Sequence, residues 1–259
     1  MTTLEVLDTS QFLLFSLIMM RMAGFILLNP ILGRNSIPMI AKSGMILVLT
    51  LLLYSVSQGE RIEVESSLTY SLLLMKEFVI GYFLGFVVQL FSMVITFAAA
   101  VIDFQMGISM AMVFDAQNNA QIPLSGSIYN VYYMLLFFAV DGHLAMMKIL
   151  LTSAQVVPYG AVVFSRGAFW AVLDIFSECI VFAMKLAFPI LAAEFIVTMG
   201  MGILMKMIPQ INVFVVQIQV KIIAGLILFL FLFSPMSDSI GDLIGGMLRQ
   251  MQEMLRMLQ

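Results

Sequence analysis

Charge is scarce in this chain. Asp, Glu, Lys and Arg together make up 10% of 259 residues, where a soluble domain carries about 25%. The 12 Lys and Arg against 15 Asp and Glu leave a net charge of -3 with no basic tract, which argues against a nucleic-acid partner. Histidine and cysteine occur once each, as His143 and Cys179. Metal or triad catalysis needs more such groups, and the chain has no P-loop, no H-E-x-x-H and no G-x-S-x-G. It is therefore read as a non-enzyme without metal or cofactor. Cys179 has no partner for an intramolecular disulfide and reads as packing, and His143 as a packed or hydrogen-bonded turn residue. Met1 to Ser10 contains Glu5 and Asp8 but no Lys or Arg, so the first apolar run does not read as a cleaved signal.

What fills the chain instead is apolar: 62% hydrophobic residues, 12% of the chain aromatic. Six apolar stretches stand out, Phe12 to Leu28, Gly44 to Val56, Leu68 to Ile102, Ile128 to Val157, Ala168 to Leu204 and Val213 to Phe233. None alternates with period two as a barrel strand would, and backbone in lipid must satisfy its own hydrogen bonds, so all six read as helices. The expected class is an all-α integral membrane protein of about six hydrophobic segments in helical hairpins, some kinked. Lengths are uneven. Phe78 to Ile102 carries no charge and would make about 38 Å of helix against a hydrocarbon core of about 30 Å, whereas Gly44 to Val56 needs Pro38 to Ser43 to approach a span. Pro30 and Pro38 bracket a turn that folds the first two stretches into a hairpin. Pro189 is expected to kink or split the fifth stretch. Gly81 and Gly85 form a small-x-x-x-small pair suited to close helix packing.

Charges embedded in these stretches include Arg21, Lys76, Glu77, Glu178, Lys185 and Glu194. A charge in mid-membrane costs roughly 2.5–3.5 kcal/mol on insertion scales, so such groups are expected to face protein or water. Pairing at subunit interfaces and a proton relay both fit them. Glu178 and Lys185, seven apart, share a helix face. Asp103 to Ser127 is the most polar connection, yet it holds Met106, Met110, Met112, Val113 and Phe114. That mixture suits irregular backbone packed on protein or lining a cavity, with methionines that close a gap without a fixed fit; a surface loop with an apolar anchor is the plainer reading. After Pro235, Ile240, Leu243, Ile244, Met247, Leu248, Met251, Leu255 and Leu258 recur at spacings of three and four. This gives an amphipathic tail helix (residues 234–259) behind a membrane domain (residues 1–233), lying on a membrane surface or packing on partner helices.

Several ordered motifs carry a family resemblance. Arg21, Asn29-Pro30-Ile31-Leu32-Gly33, Ile37-Pro38, Ile80-Gly81, Gly85-Phe86, Asp103-Phe104-Gln105-Met106-Gly107, Phe114-Asp115, Pro123, Asp141-Gly142-His143, Ser153 with Pro158, and Pro209-Gln210-Ile211-Asn212-Val213-Phe214 follow one another along the chain. The set resembles the FliR/SctT family of type III secretion export-gate subunits. It departs at Asp141, where members commonly have Asn, at Ala116, where they have Pro, and at Gln217-Ile218-Gln219, where they have Gly-Phe-Pro. The resemblance implies a non-enzymatic subunit that assembles with FliP-like and FliQ-like proteins, and with FlhB-like and FlhA-like export proteins, in the bacterial plasma membrane at the flagellar basal body. It implies a closed pore for unfolded polypeptides, plugged in part by the loop from Met106 through Gly107, Met110, Met112, Val113 and Phe114 to Pro123. It also implies structural roles for Pro30, Pro38, Gly81, Gly85, Gly142, His143, Pro209, Gln210 and Asn212. A reading from another class is an ion-coupled small-molecule transporter using Glu178, Lys185 and Glu194.

Overall fold

The computed structural model describes residues 3–57, 66–108, 113–115, 120–161, 166–208 and 213–258. They form eight helices and one short hairpin: α1 (Thr3–Leu28), α2 (Met39–Val56), α3 (Ser67–Met106), β1 (Val113–Asp115), β2 (Ala120–Ile122), α4 (Leu124–Ala139), α5 (Gly142–Val156), α6 (Arg166–Met207), α7 (Val213–Phe231) and α8 (Phe233–Met257). Four helices are long and apolar enough to cross a membrane, or up to six spans if the bent pairs α4/α5 and α7/α8 each count as one. The expected helical membrane class is therefore observed.

Differences from the expectation are local. The fourth apolar stretch is two helices, not one, because Asp141 between α4 and α5 takes φ 55 and ψ 27, a left-handed conformation that ends one helix and starts the next. Pro189 does not split the fifth stretch; α6 continues through it over 42 residues. The Met-containing connection is not wholly irregular, since β1 and β2 pair antiparallel with Val113 opposite Ile122 and Asp115 opposite Ala120. α2 begins directly after Pro38, which uses proline's fixed φ as a helix start.

The chain divides into two compact units. In the first (residues 1–90, 141–176 and 246–259), α1 buries Leu14, Leu17, Ile18, Arg21, Met22, Phe25 and Ile26, one stripe at spacings of three and four. α1 and α2 form the expected hairpin, with Phe15 and Tyr54 edge to face at 5.9 Å. Asn29 closes its turn: the buried amide oxygen accepts the N–H groups of Ile31 at 2.9 Å and Leu32 at 3.0 Å. α1 also crosses α3 at backbone contact. A Cβ on Gly24 would lie 2.1 Å from the Phe78 carbonyl oxygen, and one on Gly81 would lie 1.9 Å from that of Arg21.

In the second unit (residues 91–140 and 177–245), α3 continues its buried stripe through Phe91, Val94, Ile95, Ala98, Ile102 and Met106. α6 buries Cys179, Ala183, Leu186, Ala187, Ile190 and Glu194. α4 is held to α7 and α8 by rings, Tyr129 on Phe229 and Tyr132 on Phe233, both at 4.9 Å. α8 turns Met236, Ile240, Leu243 and Ile244 inward and leaves Asp238 and Asp242 exposed; its later residues, which belong to the first unit, keep the same alternation to Leu258. The apolar stripe of the tail helix is thus buried within the chain itself.

Candidate functional site

A buried polar cluster organises the first unit. Arg21, fully buried in the apolar stripe of α1, donates from Nε to Oε2 of Glu77 at 2.6 Å. Its Nη1 reaches Ser153 Oγ at 3.3 Å and its Nη2 the Val157 carbonyl at 3.0 Å. The Tyr159 ring lies 4.3 Å from the guanidinium carbon. Glu77 completes the cluster by accepting the Gly160 N–H on Oε1 at 2.9 Å. One planar, five-donor side chain therefore ties α1, α3, α5 and the turn after α5 together. The geometry is restrictive more than it is stabilising, because desolvating two charges costs about what their attraction returns.

The second unit holds the root of the connection between α3 and α4. Asp103, in the last turns of α3, is buried and accepts the Ser125 N–H at 3.2 Å and the Ser125 hydroxyl. Ser125 lies in the first turn of α4, where backbone N–H groups have no helical partner. A carboxylate from another helix thus supplies the cap that Pro123 cannot. Gly107 takes φ +79, a left-handed residue closing α3. Met106 is buried, and its side chain covers Gly225 of α7 so closely that a Cβ there would lie 2.5 Å from Cε and 2.6 Å from Cγ.

The other sequence-predicted residues are dispersed. Lys76 and Glu178 are half-buried, and Lys185 is exposed with its ammonium 5.7 Å from the Phe182 ring centre. Glu194 is fully buried, and neither carboxylate oxygen has a hydrogen-bond partner among the described residues. At about 100° per residue, Glu194 faces the opposite side of α6 from Glu178 and Lys185, so these three do not converge on one site. Pro38 is exposed, Pro30 half-buried, Gly142 buried and His143 half-buried. Gly85 packs on α1 as Gly81 does, its Cβ position 2.6 Å from the Phe25 carbonyl oxygen. Val113 and Phe114 lie in β1; Met110, Met112, Pro209, Gln210 and Asn212 lie outside the described residues. Sequence reasoning missed Gly24, Ser125, Tyr159 and Gly225. Gly24 and Gly225 each left a signal, as a glycine inside an apolar helix; Ser125 and Tyr159 left none.

Long apolar helices carrying internally hydrogen-bonded charges define a multi-pass helical membrane protein. The chain matches the family described as bacterial export proteins, family 1, over residues 12–247. It is similar to the flagellar biosynthetic protein FliR of Bacillus subtilis, 26% identical over 248 residues that cover 94% of this chain and 95% of that protein. FliR of Escherichia coli is 26% identical over 208 residues, covering 80% of this chain and 79% of that one. The Yop proteins translocation protein T of Yersinia pestis is 27% identical over 232 residues, 88% of each. The chain belongs to this family of bacterial export proteins and is a membrane subunit of an export apparatus.

Proposed function

We propose that the chain is a structural subunit of the flagellar type III export gate, and that the connection between α3 and α4 helps close its pore. The observation that carries this reading is the β1/β2 hairpin, rooted by Asp103 and Met106 on helices of the membrane body. A segment rooted in this way, with adaptable methionines beside its strands, suits a seal that an arriving polypeptide can displace. Unfolded flagellar subunits are the cargo, and the proton motive force with the associated export proteins supplies the energy. FliP-like and FliQ-like subunits complete the pore, with FlhB-like and FlhA-like proteins beside it, in the plasma membrane at the basal body. The family match and the FliR relatives support a flagellar setting.

Affinity purification of the tagged chain from its native membrane in mild detergent tests the assembly. Mass spectrometry is expected to recover FliP-like and FliQ-like subunits in one large complex; a reproducibly lone chain would remove the gate reading. Closure is tested separately by ion leak through the assembled complex. Replacing Met110, Met112 and Phe114 with glycine is expected to raise the leak, and unchanged conductance would remove the plug.

A further inference from the structure

We infer that Asp103, Ser125, Met106 and Gly225 form a clasp that positions the α3–α4 hairpin and holds it closed, which rests on the closure role proposed above. The two legs of the hairpin leave the helical body by different means. The leading leg departs at Gly107, directly after Met106 has been seated on bare α7 backbone at Gly225. The returning leg enters α4 at Pro123 and is stopped two residues later by Ser125 against Asp103. Asp103 and Met106 lie three residues apart on α3, so one helical turn fixes both legs.

The helices that receive these contacts are themselves joined. Tyr129 packs on Phe229 of α7, its hydroxyl donating to Met236 of α8, and Tyr132 packs on Phe233 beside Ser237. The clasp therefore closes a ring through α3, α4 and α7, and displacing the hairpin at its root requires one of two contacts to open. The Met106 seat is steric, since any side chain at 225 collides with Met106. The Asp103 contact is polar and directional, made to both the N–H and the hydroxyl of Ser125. Neither contact is part of the strands, so both can be altered without touching the segment that would meet cargo.

The test measures ion leak through the assembled, purified complex, with the yield of co-purified subunits recorded for every variant. Ser125→Ala keeps the backbone donor and removes the hydroxyl donor. It is expected to raise the leak about fivefold, the shift of a two-state closed–open equilibrium produced by one lost hydrogen bond. Gly225→Ala is expected to unseat Met106 and raise the leak, and Met106→Ala, which removes the seated side chain, is expected to raise it too; the double variant is expected to leak no more than the leakier single one, since both act at one seat. Leak from Ser125→Ala and from at least one of the two seat variants at normal assembly supports the clasp. Wild-type leak in Ser125→Ala, or in both seat variants, overturns it. Replacing residues 108–122 by a short glycine linker separates this from the closure role. If that deletion leaks while the clasp variants stay tight, the hairpin is a plug but the clasp is not its holder. If the deletion is also tight, closure by the hairpin fails and the clasp with it.

Discussion

Arg21 occupies the most buried part of α1, where a lone charge would not persist, and it does so because four acceptor or ring partners surround it. Removing one member of such a pair is costlier than removing both. A single Arg21→Met change leaves the Glu77 carboxylate buried and uncompensated, a loss of about 3–5 kcal/mol. The double change Arg21→Met with Glu77→Leu removes both charges, and the chain is expected to melt higher than either single variant in detergent. Melting temperatures that simply add would show that the pair is not coupled. Glu194 is the contrasting case, a fully buried carboxylate with no donor among the described residues. Glu194→Gln is expected to leave the melting temperature unchanged or a few degrees higher, because no hydrogen bond among the described residues offsets that group's desolvation. A fall of several degrees would mean that the carboxylate makes an essential contact. The sequence announced both residues as embedded charges but could not separate them, because the partners of Arg21 lie 56 to 138 positions away.

At the scale of elements, the α1–α3 crossing is the sharpest constraint. Gly24, Gly81 and Gly85 each place their missing side chain on the partner helix's backbone, not on a side chain that could move. Gly81→Ala is expected to push the helices apart and to cost at least the 1–3 kcal/mol typical of overpacking. The readout is the fraction of chain recovered as a single species by size-exclusion chromatography; wild-type recovery would show that the crossing relaxes freely. By contrast, Gly44 and Gly200 meet nothing within 4 Å and serve as matched controls for Gly→Ala in a helix. How much of this was legible follows from the length of each signal. Six apolar runs, the hairpin turn at Pro30 to Pro38, the glycine pair and the amphipathic tail all repeat over several residues and were readable. The break at Asp141 rests on one residue, although Asn in the resembled family and Asp here are the two side chains that best tolerate left-handed backbone. The β-hairpin has three-residue strands, too short for an alternation to register. Proline at 189 does not end α6, since an apolar helix can carry one internal proline without breaking.

For the whole molecule, the lengths of α3 and α6 decide what must surround it. At 40 and 42 residues each is about 60 Å long, twice the hydrocarbon thickness. Large apolar side chains are exposed along all of α6, among them Phe176, Phe188, Phe195 and Ile203. Phe176 and Ile203 stand about 40 Å apart along the helix, so a bilayer of about 30 Å cannot cover both unless the helix lies strongly tilted. Water is a poor cover for such a surface, which leaves other subunits of the export apparatus. Fluorescent single-cysteine labels at 176, 188 and 203, in a Cys179→Ala background, make the point measurable in reconstituted complexes. At least one of the two outer positions is expected to resist quenching both by lipid-phase nitroxides and by aqueous iodide, as a position covered by protein must. In the isolated chain the same position is expected to regain quenching by one of the two. Equal lipid-phase quenching at 176 and 203 in the complex would place the whole helix in lipid. Iodide access there would leave its apolar end in water, and either result would remove the protein cover.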